Sequence, residues 1–196
     1  MFKKFGVNEG RMNRILLWAN NKFSKSEEMM GALAKAQDSV DFQEKLQAFK
    51  EELKEKGLAY FSPVEFDEQL KKLLSYHALL AGMNYFLHSA TYLERIFKDK
   101  QALKDAESRD KLNKMVIEDK HGLEELANKV WKDKQFSGMV SEFDAWLRRG
   151  GFAGNSVRLL PTFDSMLRVH AFKSGELYLD VIMKQNIVEM AKKFVR

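Results

Sequence analysis

The chain contains no cysteine. Disulfide bonds, thiolate metal sites and cysteine nucleophiles are therefore excluded. It has only two prolines, Pro63 and Pro161, and because proline breaks helix interiors, their scarcity favours long helices. The N-terminal residues also lack an uninterrupted apolar run of the length that a signal peptide needs. We therefore expect a cytoplasmic protein.

Long hydrophobic runs are missing as well. A membrane-spanning helix needs roughly 20 consecutive, mainly apolar residues. The most apolar stretch, residues 73–93, contains two histidines, an asparagine, two serines and a threonine. This stretch is therefore predicted to be a buried helix. We expect no transmembrane segment and no peripheral membrane contact.

The composition is that of a folded domain, with 45% hydrophobic and 31% charged residues in a chain of 196. That length is sufficient to bury a core, and we predict a single helical domain over residues 1–196. The net charge of +5 is unevenly distributed, because residues 1–25 form a basic amphipathic segment and residues 26–68 are acidic. Basic segments at the ends of the chain permit an anionic partner, either a protein or a nucleic acid.

Apolar residues recur at helical spacing along most of the chain, which predicts an all-α fold. The clearest helix start is Ser62, followed by Pro63 and Glu65, and this helix is predicted to run to about Lys98. Such a long apolar helix is stable only when other helices cover it, so we predict a bundle around it. We identify no internal repeat.

Other helix boundaries follow from caps and glycines. Capping boxes are predicted at Ser24 and at Asp41, and Gly57 is the expected end of the helix that follows Asp41. Residues 165–183 fit two templates, because their apolar residues match both a helical and an alternating pattern around a Lys-Ser-Gly sequence. We favour two helices there, and a small β-hairpin remains the alternative.

One side of the long helix carries polar residues at spacings of three and four. Such residues are predicted either to form a partly exposed face or to line a groove; the possible groove residues are His77, Asn84, His88 and Arg95. The two histidines lie three turns apart, too far to share one metal ion. A Glu-x-x-His sequence occurs once, at residues 118–121, whereas di-iron sites in helical bundles use it twice. We predict no metal site and no cofactor.

The segment WLRRGGFAGNSVRLLP, residues 146–161, concentrates glycine and arginine. The RRGG sequence is typical of a helix C-terminus, where glycine adopts positive φ and arginine offsets the helix dipole. The remainder of the segment also suits an anion-binding loop, with arginines for phosphate or carboxylate and Phe152 to stack a base. The predicted binding residues are Trp18, Arg148, Arg149, Phe152, Arg158 and Arg168.

No nucleotide-binding or hydrolase motif occurs in the sequence. We therefore favour a non-enzymatic interaction protein, an adaptor or a subunit of a larger macromolecular assembly, whose partner is another protein. One alternative is a nucleic-acid-binding module that uses the Arg-rich loop 148–168. A second alternative is an enzyme whose groove on the long helix is lined by histidines.

Overall fold

A computed structural model describes residues 26–58, 62–96, 114–115 and 118–184. These residues contain helices and no strand, which confirms the all-α fold class for this part of the chain. The α-helices are α1 (Glu27–Ala34), α2 (Val40–Glu55), α3 (Pro63–Ile96), α4 (Lys120–Lys132), α5 (Lys134–Arg149) and α6 (Pro161–Lys184). Two short 3-10 helices lie between them, at Lys35–Asp38 and Val157–Leu159.

Side-chain caps set where these helices begin. The Ser62 hydroxyl accepts the Glu65 amide at 3.1 Å, as predicted for the start of α3. The two preceding helices begin elsewhere than predicted, since Ser26 caps α1 and Ser39 caps α2. Both predictions chose a serine or aspartate followed three residues later by glutamate. The structure instead uses the serine that lies three positions before the first buried apolar residue, Met29 or Phe42.

Residues 161–184 form the single helix α6, in place of the two helices or the hairpin considered from the sequence. The Lys-Ser-Gly sequence that resembled a turn lies inside this helix, where the Ser174 hydroxyl donates to the His170 carbonyl at 2.6 Å. After Gly175, several sides of α6 are covered, so apolar residues occur there at more positions than one helix face provides. Some of these positions alternate along the sequence, although no strand forms.

Helices α3 and α6 pack side by side and run in the same direction. His77 contacts His170, and nine residues further along α3 Phe86 contacts Tyr178, so the contacting positions rise together in both helices. This pair forms the most extensive helix contact among the described residues. The other helices pack on its outside.

The same sequence pattern occurs in both helices of this pair, which makes our expectation that the chain lacks an internal repeat wrong. The pattern is Leu-x-x-His-Ala-x-x-x-Gly-x-x-Tyr, from residue 74 to residue 85 in α3 and from residue 167 to residue 178 in α6. Matching residues lie 93 positions apart. Its histidines, glycines and tyrosines all lie in the contact between α3 and α6.

A second matching stretch begins in α2 and in α5 and continues past the end of each helix. Its sequence is Phe-x6-Phe-x3-Leu-x3-Gly-x-Ala, from residue 42 to residue 59 and from residue 136 to residue 153, with an offset of 94 positions. The helix caps follow the same offset, because Ser39 caps α2 and Asp133 caps α5. The positive-φ glycines also match, with Gly57 at φ 90° and Gly151 at φ 97°.

Each of these contacts between the halves occurs twice, with the roles of the two halves reversed, as a twofold axis requires. Phe42 of α2 lies 5.2 Å from the ring of His170, and Phe136 of α5 lies 5.2 Å from the ring of His77. Likewise α2 packs against α6 and α5 against α3, while α1 contacts α6 and α4 contacts α3. We conclude that the described residues comprise two copies of one helical unit, related by a pseudo-twofold axis that runs between α3 and α6.

Glycine and tyrosine pack reciprocally across this axis. A Cβ atom added to Gly82 would lie 2.7 Å from the ring of Tyr178, and one added to Gly175 would lie 2.3 Å from the ring of Tyr85. Both distances are shorter than van der Waals contact, so each tyrosine occupies space that only glycine leaves open. All four residues are buried.

We predict that Gly82→Ala and Gly175→Ala each destabilise the protein by at least about 2 kcal/mol, since the added methyl group forces a buried ring to move. The matched control is Gly138→Ala in α5, where a Cβ meets no atom within 4 Å. Because alanine is the better helix former, the control should gain about 1 kcal/mol. Urea denaturation measures all three free energies of unfolding, and equal values for Gly82→Ala and Gly138→Ala would contradict the packing.

Candidate functional site

The Arg-Arg-Gly-Gly sequence ends α5 in a Schellman motif. The Phe152 amide donates to the Leu147 carbonyl at 3.1 Å, and the Gly151 amide donates to the Arg148 carbonyl at 3.1 Å. Gly151 has the positive φ that this motif requires. These bonds confirm the interpretation of RRGG as the end of a helix.

Helix α2 ends in the same motif, and the two ends meet. The Leu58 amide donates to the Leu53 carbonyl at 3.0 Å, and Gly57 again supplies the positive φ. The Ala153 amide then donates to the Lys56 carbonyl at 2.8 Å, which joins the two helix ends directly. A side chain at Gly57 would lie 2.9 Å from the Gly151 carbonyl oxygen. The glycines therefore permit close contact between the halves.

Arg148 holds the segment that follows this turn. Its Nε donates to Asp144 at 2.9 Å, one Nη donates to the Asn155 carbonyl, and the guanidinium lies over the Phe152 ring. The second oxygen of Asp144 accepts the Val157 amide at 2.6 Å. Arg148, predicted as a binding residue, therefore makes structural contacts within its own chain.

Phe152 does not take the predicted stacking role, because its side chain is only 3% exposed. Its ring lies against Gly154, where an added Cβ would be 2.3 Å from the ring. Because Phe152 lies in a glycine-rich sequence, its ring was predicted to be exposed and to stack on a base. Burial follows instead from its position after Gly151 in the Schellman motif, where an apolar residue commonly packs back on the helix.

We predict that Asp144→Ala costs about 2 kcal/mol, because it leaves the Val157 amide and the Arg148 guanidinium without their acceptor. The matched control is Asp164→Ala in α6, which removes an exposed ion pair to Arg168 and should cost less than about 1 kcal/mol. Thermal or urea denaturation checks both. A cost for Asp144→Ala no larger than that of the control would show that Arg148 does not hold the loop.

Arg158 and Trp131 form a contact that the sequence did not predict. The guanidinium of Arg158 lies 4.9 Å from the centre of the Trp131 ring, a cation–π distance, while the arginine remains exposed. Trp131 is half-buried and also packs against Phe136 and Phe163. The two residues lie far apart in the sequence, and only the fold brings them together.

The other predicted binding residues lie on different elements. Arg149 is exposed at the end of α5, and Arg168 lies on α6, where it donates to Asp164 at 2.6 Å. Trp18 lies outside the described residues. Of the predicted residues, Phe152 is thus buried and Arg148 bonded within its own chain, while Arg149, Arg158 and Arg168 are exposed.

His77, the first residue of the predicted polar groove on α3, is buried and not open to solvent. His77 is only 2% exposed, and its Nδ1 lies 2.9 Å from Nδ1 of His170, which is 0% exposed. One neutral ring must donate its Nδ1 proton to the other, so the two histidines carry different tautomers. The pairing was not predicted, and the signal that could have indicated it is the equal position of the two histidines in the repeat.

The remaining members of that face have separate local partners. The Asn84 amide donates to the Leu80 carbonyl of its own helix at 2.9 Å. His88 lies 3.1 Å from a carboxylate oxygen of Asp119. The side chain of Arg95 lies outside the described residues. These contacts do not assemble a groove around His77.

Burial governs the electrostatics of the histidine pair. It lowers the pKa of His77 well below its ordinary value, with the neighbouring His170 adding a smaller effect in the same direction. Burial alone lowers the pKa of His170 to about 3. Phe42 packs against His170 and Phe136 packs against His77, so these neighbours provide no negative charge that would raise either pKa.

Because of the histidine pair, the protein becomes less stable as the pH falls. Since the folded-state pKa values lie below the ordinary 6.5, the unfolded chain binds more protons as the pH falls from 6.5 towards 3, and each histidine then removes about 1.4 kcal/mol per pH unit. We predict that His77→Gln/His170→Gln flattens this loss between about pH 6.5 and 5, measured by urea denaturation. The control Ser141→Ala, at an exposed position of α5 without a titratable group, should retain the wild-type slope. Equal slopes for wild type and the double variant would contradict the neutral pair.

The two halves differ in charge at matching surface positions. Glu55 of α2 corresponds to Arg149 of α5, and Asp38 corresponds to Lys132. All four are outside the buried core. One helical unit therefore tolerates either sign at these positions, and the basic residues of the second half are not required by the fold.

Comparison of the chain with family models, curated proteins and solved structures gives no match. Within the described residues, no helix combines the length and the apolar character that crossing a bilayer requires.

Proposed function

We propose that the chain is a single helical bundle built around α3 and that it serves in the cytoplasm as a non-enzymatic interaction protein, an adaptor or a subunit of a larger assembly. Its contact residues are the basic residues of the second half, Lys132, Arg149 and Arg158, together with Trp131. The partner is an acidic protein segment. The proposal concerns residues 118–184, where these side chains lie.

The change of charge between matching positions carries this proposal. The two halves share caps, Schellman motifs and core residues, so a difference in their exposed residues does not arise from folding. Arg149 stands where the first half has Glu55, and Lys132 where it has Asp38. Selection for a contact in one half accounts for such a difference.

Trp131 and Arg158 supply a suitable centre for the contact. Tryptophan and arginine are the residue types most enriched among those that dominate binding energies at protein interfaces. The indole limits the motion of the exposed guanidinium, which lies 4.9 Å from its centre. A side chain already held in place loses less conformational entropy on binding.

The same contacts favour an acidic protein over a nucleic acid. Of the residues predicted to grip phosphate, Arg148 is bonded to Asp144 and Asn155, and Phe152 is buried. This leaves fewer exposed arginines than a phosphate backbone would engage along its length. The enzyme alternative loses its main support as well, because His77 is closed off from solvent.

The test is affinity capture from the native source with wild type, with Arg149→Gln/Arg158→Gln, and with the control Lys45→Gln/Lys54→Gln. The control removes the same charge from exposed positions of α2. We expect wild type and control to retain the same acidic protein, while the arginine variant retains about tenfold less, equivalent to about 1.4 kcal/mol. Nuclease treatment should not change the result.

Two outcomes would contradict the proposal. Equal capture by the arginine variant and the control would show that these arginines are not contact residues. Loss of capture on nuclease treatment would favour nucleic acid, and anisotropy with a labelled oligonucleotide would then show an affinity that falls steeply with salt.

A further inference from the structure

A cleft lies between α3, α4 and α6, on the side of the second half. Its volume is about 240 Å³, smaller than the roughly 300 to 1,000 Å³ of pockets for drug-sized ligands. Alanines from all three helices contribute to its wall, which includes Ala81, Leu126, Ala127, Val130 and Ala171. The cleft therefore suits a small ligand with an apolar body.

The matching helix of the first half packs differently. Helix α1 packs against both α3 and α6, whereas α4 packs on α3 and makes few contacts with α6. The Glu-Glu-Met sequence of α1 matches Glu-Glu-Leu of α4, which pairs Met29 with Leu126 and Met30 with Ala127. Met29 is 0% exposed, whereas Met30 is 39% exposed and does not enter the core. The cleft in the second half therefore lies where α4 leaves α6 uncovered.

Two charged residues of opposite sign line the cleft on different helices. Arg168 comes from α6 and Glu124 from α4. The repeat has Ser75 at the position of Arg168, so the guanidinium is also particular to the second half. Asp164 accepts the Nε of Arg168 at 2.6 Å, which orients the guanidinium and leaves its Nη groups as donors.

These features together define the chemistry of the ligand. A guanidinium binds a carboxylate, a carboxylate binds an ammonium group, and an apolar wall binds a hydrocarbon side chain. A ligand with only one charge would engage only one of these two residues. A zwitterion with an apolar side chain satisfies all three requirements.

We propose that this cleft binds a free α-amino acid with an apolar side chain, such as phenylalanine or leucine. Arg168 binds its carboxylate and Glu124 its ammonium group. The side chain lies on Ala81, Leu126 and Val130, with Phe172 at the side. This site is separate from the contact residues of the interaction protein proposed above and does not depend on them.

Isothermal titration calorimetry of the full chain with L-phenylalanine and L-leucine tests the proposal. A ligand of this size is expected to bind with a dissociation constant on the order of 0.1 mM. The comparison ligands are 3-phenylpropanoate, which lacks the ammonium group, 2-phenylethylamine, which lacks the carboxylate, and N-acetyl-L-phenylalanine amide, which lacks both charges. Each should bind at least about tenfold more weakly, since each loses one charged hydrogen bond or both.

Variants assign the roles of the residues. Arg168→Gln and Glu124→Gln should each weaken L-phenylalanine binding by about tenfold or more. Ala127→Met, which enlarges a side chain on the cleft wall, should abolish binding while the protein remains folded. Lys129→Gln is the matched control, because Lys129 is exposed on α4 and does not line the cleft; it should bind as wild type does.

The proposal is overturned if neither amino acid binds the wild-type protein at about 10 mM, roughly a hundredfold above the expected constant. It is also overturned if 3-phenylpropanoate or the uncharged amide binds as tightly as L-phenylalanine, because Glu124 or both charged residues would then have no role. Unchanged binding by Ala127→Met would place the ligand outside this cleft.

Discussion

The close approach of α3 and α6 is the constraint on which the rest of the structure depends. Gly82 and Gly175 leave room for the rings of Tyr178 and Tyr85, which no residue with a side chain would do. This approach brings the Nδ1 atoms of the two histidines to hydrogen-bond distance. It also fixes where Phe42 and Phe136 pack, and with them the two helices that end in paired Schellman motifs.

Duplication of one unit explains both the regular and the irregular features of the chain. Residues on the pseudo-twofold axis are retained in both copies because each contacts the other copy, so a change in one disturbs a shared contact. Residues away from the axis are free to differ. Ala127, Arg149 and Arg168 belong to this second class, and each has a different counterpart in the first half: Met30, Glu55 and Ser75. Those differences locate both proposed sites in the second half.

Local chemistry could be predicted from the sequence because it depends on neighbouring residues. The all-α class follows from helical periodicity, and the Ser62 cap and the helix ends at Gly57 and Gly150 follow from rules that act over a few positions. The misplaced starts at Ser24 and Asp41 show the limit of such rules, since competing caps lie within three residues of each other.

Contacts across the fold could not be predicted in the same way. The burial of His77 depends on His170, which lies 93 positions later, and nothing in the surroundings of either residue indicates the pairing. The repeat was overlooked because only the positions in contact are kept, and these are few. The burial of Phe152 is not predicted for the same reason, and the contact between Trp131 and Arg158 joins residues that are remote in sequence.

The imidazole groups of His77 and His170 offer the most direct test of the two-copy arrangement, because the pair lies on the proposed axis. In ¹⁵N-labelled protein near neutral pH, we expect two neutral rings of different tautomeric form and a scalar coupling between their Nδ1 nuclei across the hydrogen bond. Neither ring should titrate near pH 6.5. Two rings that titrate independently near pH 6.5, with no coupling between them, would contradict the arrangement.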